Sequence, residues 1–141
     1  MMRQYFERYE VPIAVAIGGA IGSALRWAIA SAIDNTDVPI ATFLTNVLGS
    51  FALGVVLVLG ERIGRRQGHH HEHQKLHLRL WRPFLATGVL GGFTTFSTFV
   101  VEINTTSTTM AAAYLVASLS LGVAAYMAGN ELTRSAFGVA E

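Results

Sequence analysis

The organisation of this chain follows from one stretch, Gly91-Gly92-Phe93-Thr94-Thr95-Phe96-Ser97-Thr98-Phe99-Val100-Val101-Glu102. It lies in a segment apolar enough to cross a membrane, yet it holds paired glycines, four hydroxyl side chains, three phenylalanines and a carboxylate. Hydrocarbon offers no water to backbone N–H and C=O groups, so a lipid-exposed break in a helix would leave them unsatisfied. The stretch therefore predicts a polar, interrupted helix that faces protein or a water-filled path, at the centre of an ion pathway.

The composition of the whole chain indicates a membrane protein. Of its 141 residues, 52% are hydrophobic and 13% are charged, and the mean hydropathy is +0.45. The chain has no cysteine, which excludes disulfides, thiolate nucleophiles and cysteine metal ligands. The N-terminal residues lead into an apolar stretch too long for the core of a cleavable signal peptide, so we expect no such signal.

Four apolar segments each approach the ~20 residues that a membrane-spanning helix needs. They cover residues 12–33, 40–60, 83–101 and 110–130. The fold class predicted is therefore an all-α membrane protein, one four-helix domain over residues 1–141 with the third helix broken. The linkers are short except for 61–82, which contains six basic residues and all five histidines.

The first span carries a proline, a small-residue face and an arginine. Pro12 suits a first helical turn, where its missing N–H does no harm. Ala14, Gly18 and Gly22 recur every four residues and favour close helix packing. Near the end of the span, Arg26 must snorkel, pair or face a wet vestibule. It is either an interfacial anchor or a residue that attracts an anion.

The second span has a polar face formed by Thr42, Asn46 and Ser50, which are spaced at i, i+4 and i+8. Asn46 is the informative residue, because its amide must place two N–H donors and an acceptor in apolar surroundings. One interpretation is an interhelical hydrogen bond that serves packing. The other is an N–H donor that lines a path for an anion.

The third span adds two phenylalanines and a carboxylate to its hydroxyls. Phe96 and Phe99 are i, i+3 neighbours, so their rings lie along one side of a helix. They either fill a core or turn their partially positive ring edges to an anion, and the surrounding hydroxyls favour the second interpretation. Glu102, near the end of the span, is either interfacial or a buried hydrogen-bond acceptor.

The fourth span and the long linker offer weaker signals. Tyr114, Ser118, Gly122 and Tyr126 follow at four-residue steps on one face, which either extends the polar stripe or packs against a neighbouring helix. The histidine-rich part of the linker, residues 69–77, is either a solvated loop or a weak metal-binding tract, because consecutive histidines in a loop have no fixed ligand geometry.

Three blocks of the sequence together resemble the CrcB/Fluc family of fluoride channels. They run from Gly18 to Arg26, from Thr45 to Phe51, and from Gly91 to Glu102. The resemblance implies an antiparallel dimer of four-helix subunits with two fluoride pathways between the subunits. It also implies passive export of cytoplasmic fluoride across the plasma membrane, and hence fluoride resistance, with no catalysis.

The same resemblance implies roles for individual residues. The fluoride pathway would be lined by Asn46, Phe96, Phe99, Ser97, Thr98, Tyr114 and Ser118. Gly91 and Thr94 resemble positions whose backbone carbonyls hold a structural sodium ion, Na+, at the dimer interface. Arg26 and Glu102 resemble the family's first-helix arginine and third-helix carboxylate, with vestibule or structural roles. Gly122 departs from the family pattern, which commonly has a hydroxyl there, so the end of the polar wall stays open.

The distribution of charge predicts an orientation. With four spans, both termini and the 61–82 linker lie on one side, which carries nine of the ten Lys and Arg residues; the tenth is Arg26. The positive-inside rule then places both termini in the cytoplasm. Because an antiparallel dimer needs a second subunit inserted the other way, we expect a heterodimer with an oppositely oriented homologue. A homodimer is the alternative if insertion tolerates the asymmetry.

Two other functions compete with a channel. A small proton-coupled exporter of the multidrug type would need an ionisable carboxylate deep in a span, whereas Glu10 lies at a membrane edge and Glu102 near a helix end. A non-conducting structural subunit of a heterodimeric channel is the second alternative. The expected partners are the fluoride ion and membrane lipid, with no nucleic acid.

Overall fold

A computed structural model describes residues 2–33, 39–66 and 79–138. The described residues are helical apart from short turns. Their helices have these bounds: α1, Met2–Ala32; α2, Ile40–Arg66; a helical turn at 79–82 that leads into a π-helix, Pro83–Leu90; α3, Gly91–Phe93; α4, Ser97–Thr105; and α5, Thr108–Phe137. The histidine-rich part of the linker, residues 69–77, lies outside the described residues.

Four helical stretches are long and apolar enough to cross a membrane: Tyr9–Ala32, Ile40–Gly64, Arg79–Thr105 and Thr108–Phe137. The all-α membrane architecture with four spans is therefore confirmed. The helices extend beyond the segments predicted from hydropathy and include both ends of the 61–82 linker. Hydropathy marks only the part of a helix that suits hydrocarbon, whereas the backbone hydrogen bonds of a helix continue into its charged ends.

The placement of Pro12 in a first helical turn is wrong. Pro12 lies inside α1, which begins at Met2. A proline there removes one i→i−4 hydrogen bond and crowds the preceding turn. Membrane helices tolerate this because neighbouring groups can bond the carbonyl that loses its donor.

The third span changes its backbone geometry partway along. The short helix α3 ends at Phe93, and Thr94 adopts an extended conformation with φ −80° and ψ 157°. Helical geometry resumes with α4 at Ser97. The N–H of Thr94 still donates to the carbonyl of Leu90 at 2.9 Å, and so does its hydroxyl, at 2.9 Å. Residues 94–96 are thus a non-helical turn between two helical pieces.

Glycines set the two closest helix contacts. A Cβ added at Gly22 would collide with the carbonyl oxygen of Val89, and one at Gly18 with that of Phe84, so the small-residue face predicted for α1 is confirmed at both positions. On the other side of the bundle, α2 and α5 approach in the same way. A Cβ at Gly54 would collide with the carbonyl oxygen of Tyr126. Small residues let membrane helices pack backbone to backbone.

We expect Gly129→Ala to lower the stability of the bundle by about 1–3 kcal/mol, the usual cost of overpacking. The new methyl group would meet the carbonyl oxygen of Phe51, a backbone atom that no side-chain rotation can move aside. The matched control is Gly122→Ala on the same helix, where the nearest atom is Ser50 Oγ at 3.5 Å. Thermal unfolding in detergent measures the difference, and equal midpoints for the two variants would contradict it.

Candidate functional site

Asn46 ties α2 to the non-helical turn of the third span. Its Nδ2 donates to the carbonyl of Thr95 at 3.0 Å, and its Oδ1 accepts the N–H of Thr95 at 2.8 Å. The amide thus supplies hydrogen-bond partners to backbone groups that have left helical geometry, which buried backbone groups require. The interhelical bond proposed as one interpretation of Asn46 is therefore present. An amide NH₂ has two protons, and one of them bonds the Thr95 carbonyl. The other has no hydrogen-bond partner among the residues that the structure describes.

This arrangement frees two backbone carbonyls from their helical partners. In a continuous helix, the N–H of Thr95 would donate to the carbonyl of Gly91, but it donates to Asn46 instead. The N–H of Thr98 would likewise donate to the carbonyl of Thr94, but it donates to the Thr95 hydroxyl at 3.2 Å. The carbonyls of Gly91 and Thr94 therefore lose their i+4 donors.

Thr95 is the residue that sequence reasoning did not single out. It is buried, and its hydroxyl donates to Thr98 Oγ1 at 3.0 Å. It also lies 3.4 Å from Ser97 Oγ, with either oxygen able to donate. By accepting the Thr98 N–H, the Thr95 hydroxyl satisfies a backbone donor in the first turn of α4, one residue before the N-cap position at Phe96. Threonine is common in this role at helix starts, so the sequence did hold a clue.

The two phenylalanines predicted as pathway residues lie in different environments. Phe96 is 74% exposed, whereas Phe99 is 5% exposed. Their ring centroids are 6.1 Å apart, and Phe99 packs on Tyr114 with centroids 5.0 Å apart. Phe99 therefore fills the core of the subunit, and Phe96 presents its ring to the open side.

Glu102 links three helices. Thr42 Oγ1 on α2 donates to one carboxylate oxygen at 2.6 Å, and the Tyr114 hydroxyl on α5 donates to the other at 3.0 Å. Of the two interpretations of Glu102, the hydrogen-bond acceptor is the one that the structure supports. The buried Tyr114 thus directs its hydroxyl to this carboxylate.

Two cavities flank the non-helical turn. The first, of about 230 Å³, is called the Arg26 cavity and is lined by Ser23, Arg26, Trp27, Ala30, Ala41, Thr42, Thr45, Thr95 and Thr98. The second, of about 540 Å³, is called the Phe96 cavity and is lined by Asn46, Gly49, Ser50, Leu53, Ala86, Leu90, Gly91, Thr94, Thr95, Phe96, Phe99, Ser118, Leu119, Gly122, Val123 and Tyr126. Thr95 lines both.

The cavities bring together most of the residues predicted from the sequence. The Phe96 cavity gathers six of them: Asn46, Gly91, Thr94, Phe96, Phe99 and Ser118. Ser118 Oγ is buried and meets no hydrogen-bond partner within the part of the chain that the structure describes. Arg26 and Thr98 line the Arg26 cavity. Tyr114 and Glu102 are joined by a hydrogen bond. Ser97 lies within hydrogen-bond distance of Thr95.

Fold and site together define a small polytopic membrane protein with two cavities beside a non-helical turn, each lined in part by hydroxyl side chains. A family model described as CrcB-like protein, Camphor Resistance (CrcB) matches residues 13–130. The chain belongs to this family, and the resemblance noted from its three sequence blocks is confirmed.

The chain is similar over most of its length to proteins named as fluoride channels. "Fluoride-specific ion channel FluC 2" of Nocardia farcinica is 37% identical over 134 residues, covering 91% of this chain and 88% of the relative. "Fluoride-specific ion channel FluC" of Cereibacter sphaeroides is 35% identical over 127 residues, covering 85% and 91%. The protein of the same name from Agrobacterium fabrum is 36% identical over 130 residues, covering 87% and 95%.

Proposed function

We propose that this chain is a subunit of a fluoride-selective ion channel that exports cytoplasmic fluoride passively across the plasma membrane. The observation that carries the proposal is the Phe96 cavity in a membrane-spanning chain. An amide, a phenylalanine ring and a hydroxyl that has no partner among the described residues converge there. Membership of the CrcB family, with relatives named fluoride-specific ion channels, points to the same ion.

The chemistry of the cavity suits a small anion. Fluoride holds its water strongly, so a pathway must replace that water with closely spaced donors. The second amide proton of Asn46 and the hydroxyl of Ser118 supply donors, and the edge of the Phe96 ring carries partial positive charge. Each contact holds the ion weakly enough to pass it to the next, as conduction requires.

Transport of this kind makes and breaks no covalent bond, so the proposal includes no catalysis. Fluoride would enter the cell as the neutral weak acid HF, dissociate, and leave as the anion down its gradient. Glu102 supports this interpretation over proton-coupled exchange. A proton carrier must bind and release its proton in every cycle, whereas the Glu102 carboxylate is held by hydroxyls from two other helices.

An antiparallel dimer is the assembly we propose. The Phe96 ring is exposed beside the Asn46 amide and the Ser118 hydroxyl, which line the same cavity. If this face met lipid, those polar groups would face hydrocarbon, which is unfavourable. A second subunit packed head-to-tail would cover that face and complete the wall of the pathway.

A structural sodium ion at the dimer interface fits the backbone of the third span. The carbonyls of Gly91 and Thr94 lack their helical donors, and both residues line the Phe96 cavity. Unwound backbone carbonyls in membrane helices are suitable ligands for Na+. Sodium should then raise the thermal unfolding midpoint of the purified protein relative to N-methylglucamine at equal ionic strength. An identical midpoint in the two salts would contradict a sodium site.

Both termini are proposed to lie in the cytoplasm, with an oppositely oriented homologue as the dimer partner. The support is the charge asymmetry of the sequence, in which the side holding both termini carries nine of ten basic residues. Single cysteines placed at Asp37 and Gln74 in the otherwise cysteine-free chain test this by labelling from each face of the membrane. Labelling of each cysteine from both faces would reject a fixed orientation and support a homodimer.

Ion efflux from liposomes that contain the purified protein tests the function directly. We expect fluoride release on addition of a potassium ionophore, with no matching release from chloride-loaded liposomes. Release of both anions would contradict selectivity. Transport of an organic cation coupled to a proton gradient would instead identify an exporter. Fluoride release that needs an added homologue would support the heterodimer. This chain would then be a structural subunit if its Phe96→Ile variant leaves that release unchanged.

A further inference from the structure

Thr95 occupies a special place between the two cavities. It lines both the Arg26 cavity and the Phe96 cavity, and only 8% of its surface is exposed. Its backbone is held on both sides by the Asn46 amide. If an ion moves between the two cavities, Thr95 is the residue that both share, and hydrogen bonds fix its position.

The hydroxyl of Thr95 has one proton, and the hydrogen bonds of the structure identify the atom that accepts it. The hydroxyl donates to Thr98 Oγ1 at 3.0 Å, while its oxygen accepts the Thr98 N–H at 3.2 Å. A threonine hydroxyl has one donor and two acceptor positions. Because the Thr98 oxygen accepts from Thr95, the proton of Thr98 is directed away from Thr95. Thr98 lines the Arg26 cavity, so this proton is available to an ion there.

We propose that Thr95 is a positioning residue for anion passage, which orients the Thr98 hydroxyl so that its proton faces an ion moving between the Arg26 and Phe96 cavities. The inference rests on the proposed fluoride channel function and adds a residue that acts through its neighbour. Fluoride accepts hydrogen bonds and cannot donate them. A hydroxyl locked with its proton toward the path therefore favours the ion, whereas a freely rotating one spends part of its time presenting a lone pair.

Four variants in proteoliposomes test this: Thr95→Val, Thr95→Ser, Thr98→Val and the Thr95→Val/Thr98→Val double variant. We expect each valine variant to slow fluoride efflux about tenfold, the effect of losing one hydrogen bond to a charged species. Thr95→Ser keeps the hydroxyl and should stay close to wild type. The double variant should be no slower than the single ones, because Thr95 acts through Thr98.

The non-additivity separates positioning from a general loss of structure. If Thr95 only capped α4, its loss and that of Thr98 would multiply to about a hundredfold reduction, as independent effects do. A multiplicative double variant, an impaired Thr95→Ser or an unimpaired Thr98→Val would each overturn the proposal. Should Thr95→Val fail to reconstitute, Thr95→Ala, which also removes the hydroxyl, takes its place in the single and double variants.

Two controls complete the design. Thr133→Val also removes a buried threonine hydroxyl, but one that bonds the carbonyl of Gly129 on its own helix at 2.7 Å and lines neither cavity. Its fluoride efflux should match wild type. If wild-type protein releases no fluoride, either alone or with an added homologue, the proposed function fails. If wild type conducts and the Thr95 and Thr98 variants do so equally well, only the positioning role fails.

Discussion

Asn46→Asp is expected to abolish fluoride efflux, with a loss of at least about a hundredfold. A charge placed inside a membrane span costs about 3 kcal/mol on insertion scales, and each 1.4 kcal/mol is a factor of about ten. The new carboxylate would lie beside the path of an anion and repel it. It would also face the carbonyl of Thr95, which now accepts the amide of Asn46 at 3.0 Å.

Two comparisons separate the charge from the hydrogen bonds that Asn46 makes. Asn46→Leu removes the amide without adding charge, so it should destabilise the turn by about 1–3 kcal/mol by leaving Thr95 backbone groups without partners. Asn104→Asp adds the same charge at an exposed residue whose amide bonds its own helix at Val100, 2.7 Å away. It should leave efflux unchanged.

The Asn46 prediction is measured as fluoride efflux from liposomes, with thermal unfolding in detergent as the readout of folding. The charge effect requires Asn46→Asp to conduct less than Asn46→Leu at comparable stability. An Asn46→Asp protein that conducts fluoride as wild type does would show that the pathway avoids the Phe96 cavity near α2.

Phe96→Ile is expected to slow fluoride efflux about thirtyfold while leaving stability nearly unchanged. The ring is 74% exposed, so its replacement removes little packing within the subunit. Isoleucine keeps the apolar bulk but has no ring edge for an anion. We take about 2 kcal/mol for the contact between the anion and the ring edge, by analogy with a desolvated cation over a ring face, which corresponds to about thirtyfold.

The matched control for the ring is Phe51→Ile. Phe51 is 37% exposed on α2 and lines neither cavity, so its loss should leave efflux unchanged. Fluoride efflux is compared for both variants at equal protein density. Equal efflux from Phe96→Ile and wild type would mean that the Phe96 ring serves packing against a partner and takes no part in conduction.

The candidate site was predictable from the sequence as a set of residues, but not as a set of contacts. The polar stretch at 91–102 stood out because hydroxyls and paired glycines are unexpected in a spanning segment. The two interpretations of Asn46 could not be separated from sequence. Its partner, Thr95, is 49 residues away in the sequence. The pairing depends on the position of α2 along the axis of the third span.

The contacts of Glu102 and Thr95 could not be predicted from the sequence either. The carboxylate could be interfacial or buried until the structure brought hydroxyls from α2 and α5 to its two oxygens. The position of Thr95 between two cavities has no counterpart in the periodicity of the sequence. Pro12 was placed at a helix start because the local rule ignores the neighbouring groups that let a membrane helix continue through proline.

The sequence alone determined that the chain crosses a membrane four times, that its third span is polar near residue 94, and which family it resembles. These properties are local, since hydropathy, hydroxyl content and motifs need no knowledge of neighbours in space. Only the tertiary structure decided which polar group bonds which, and that Phe96 is open while Phe99 is buried. Those outcomes depend on how each helix is rotated about its axis and shifted along it relative to its neighbours. Close packing through small residues sets both quantities across the bundle.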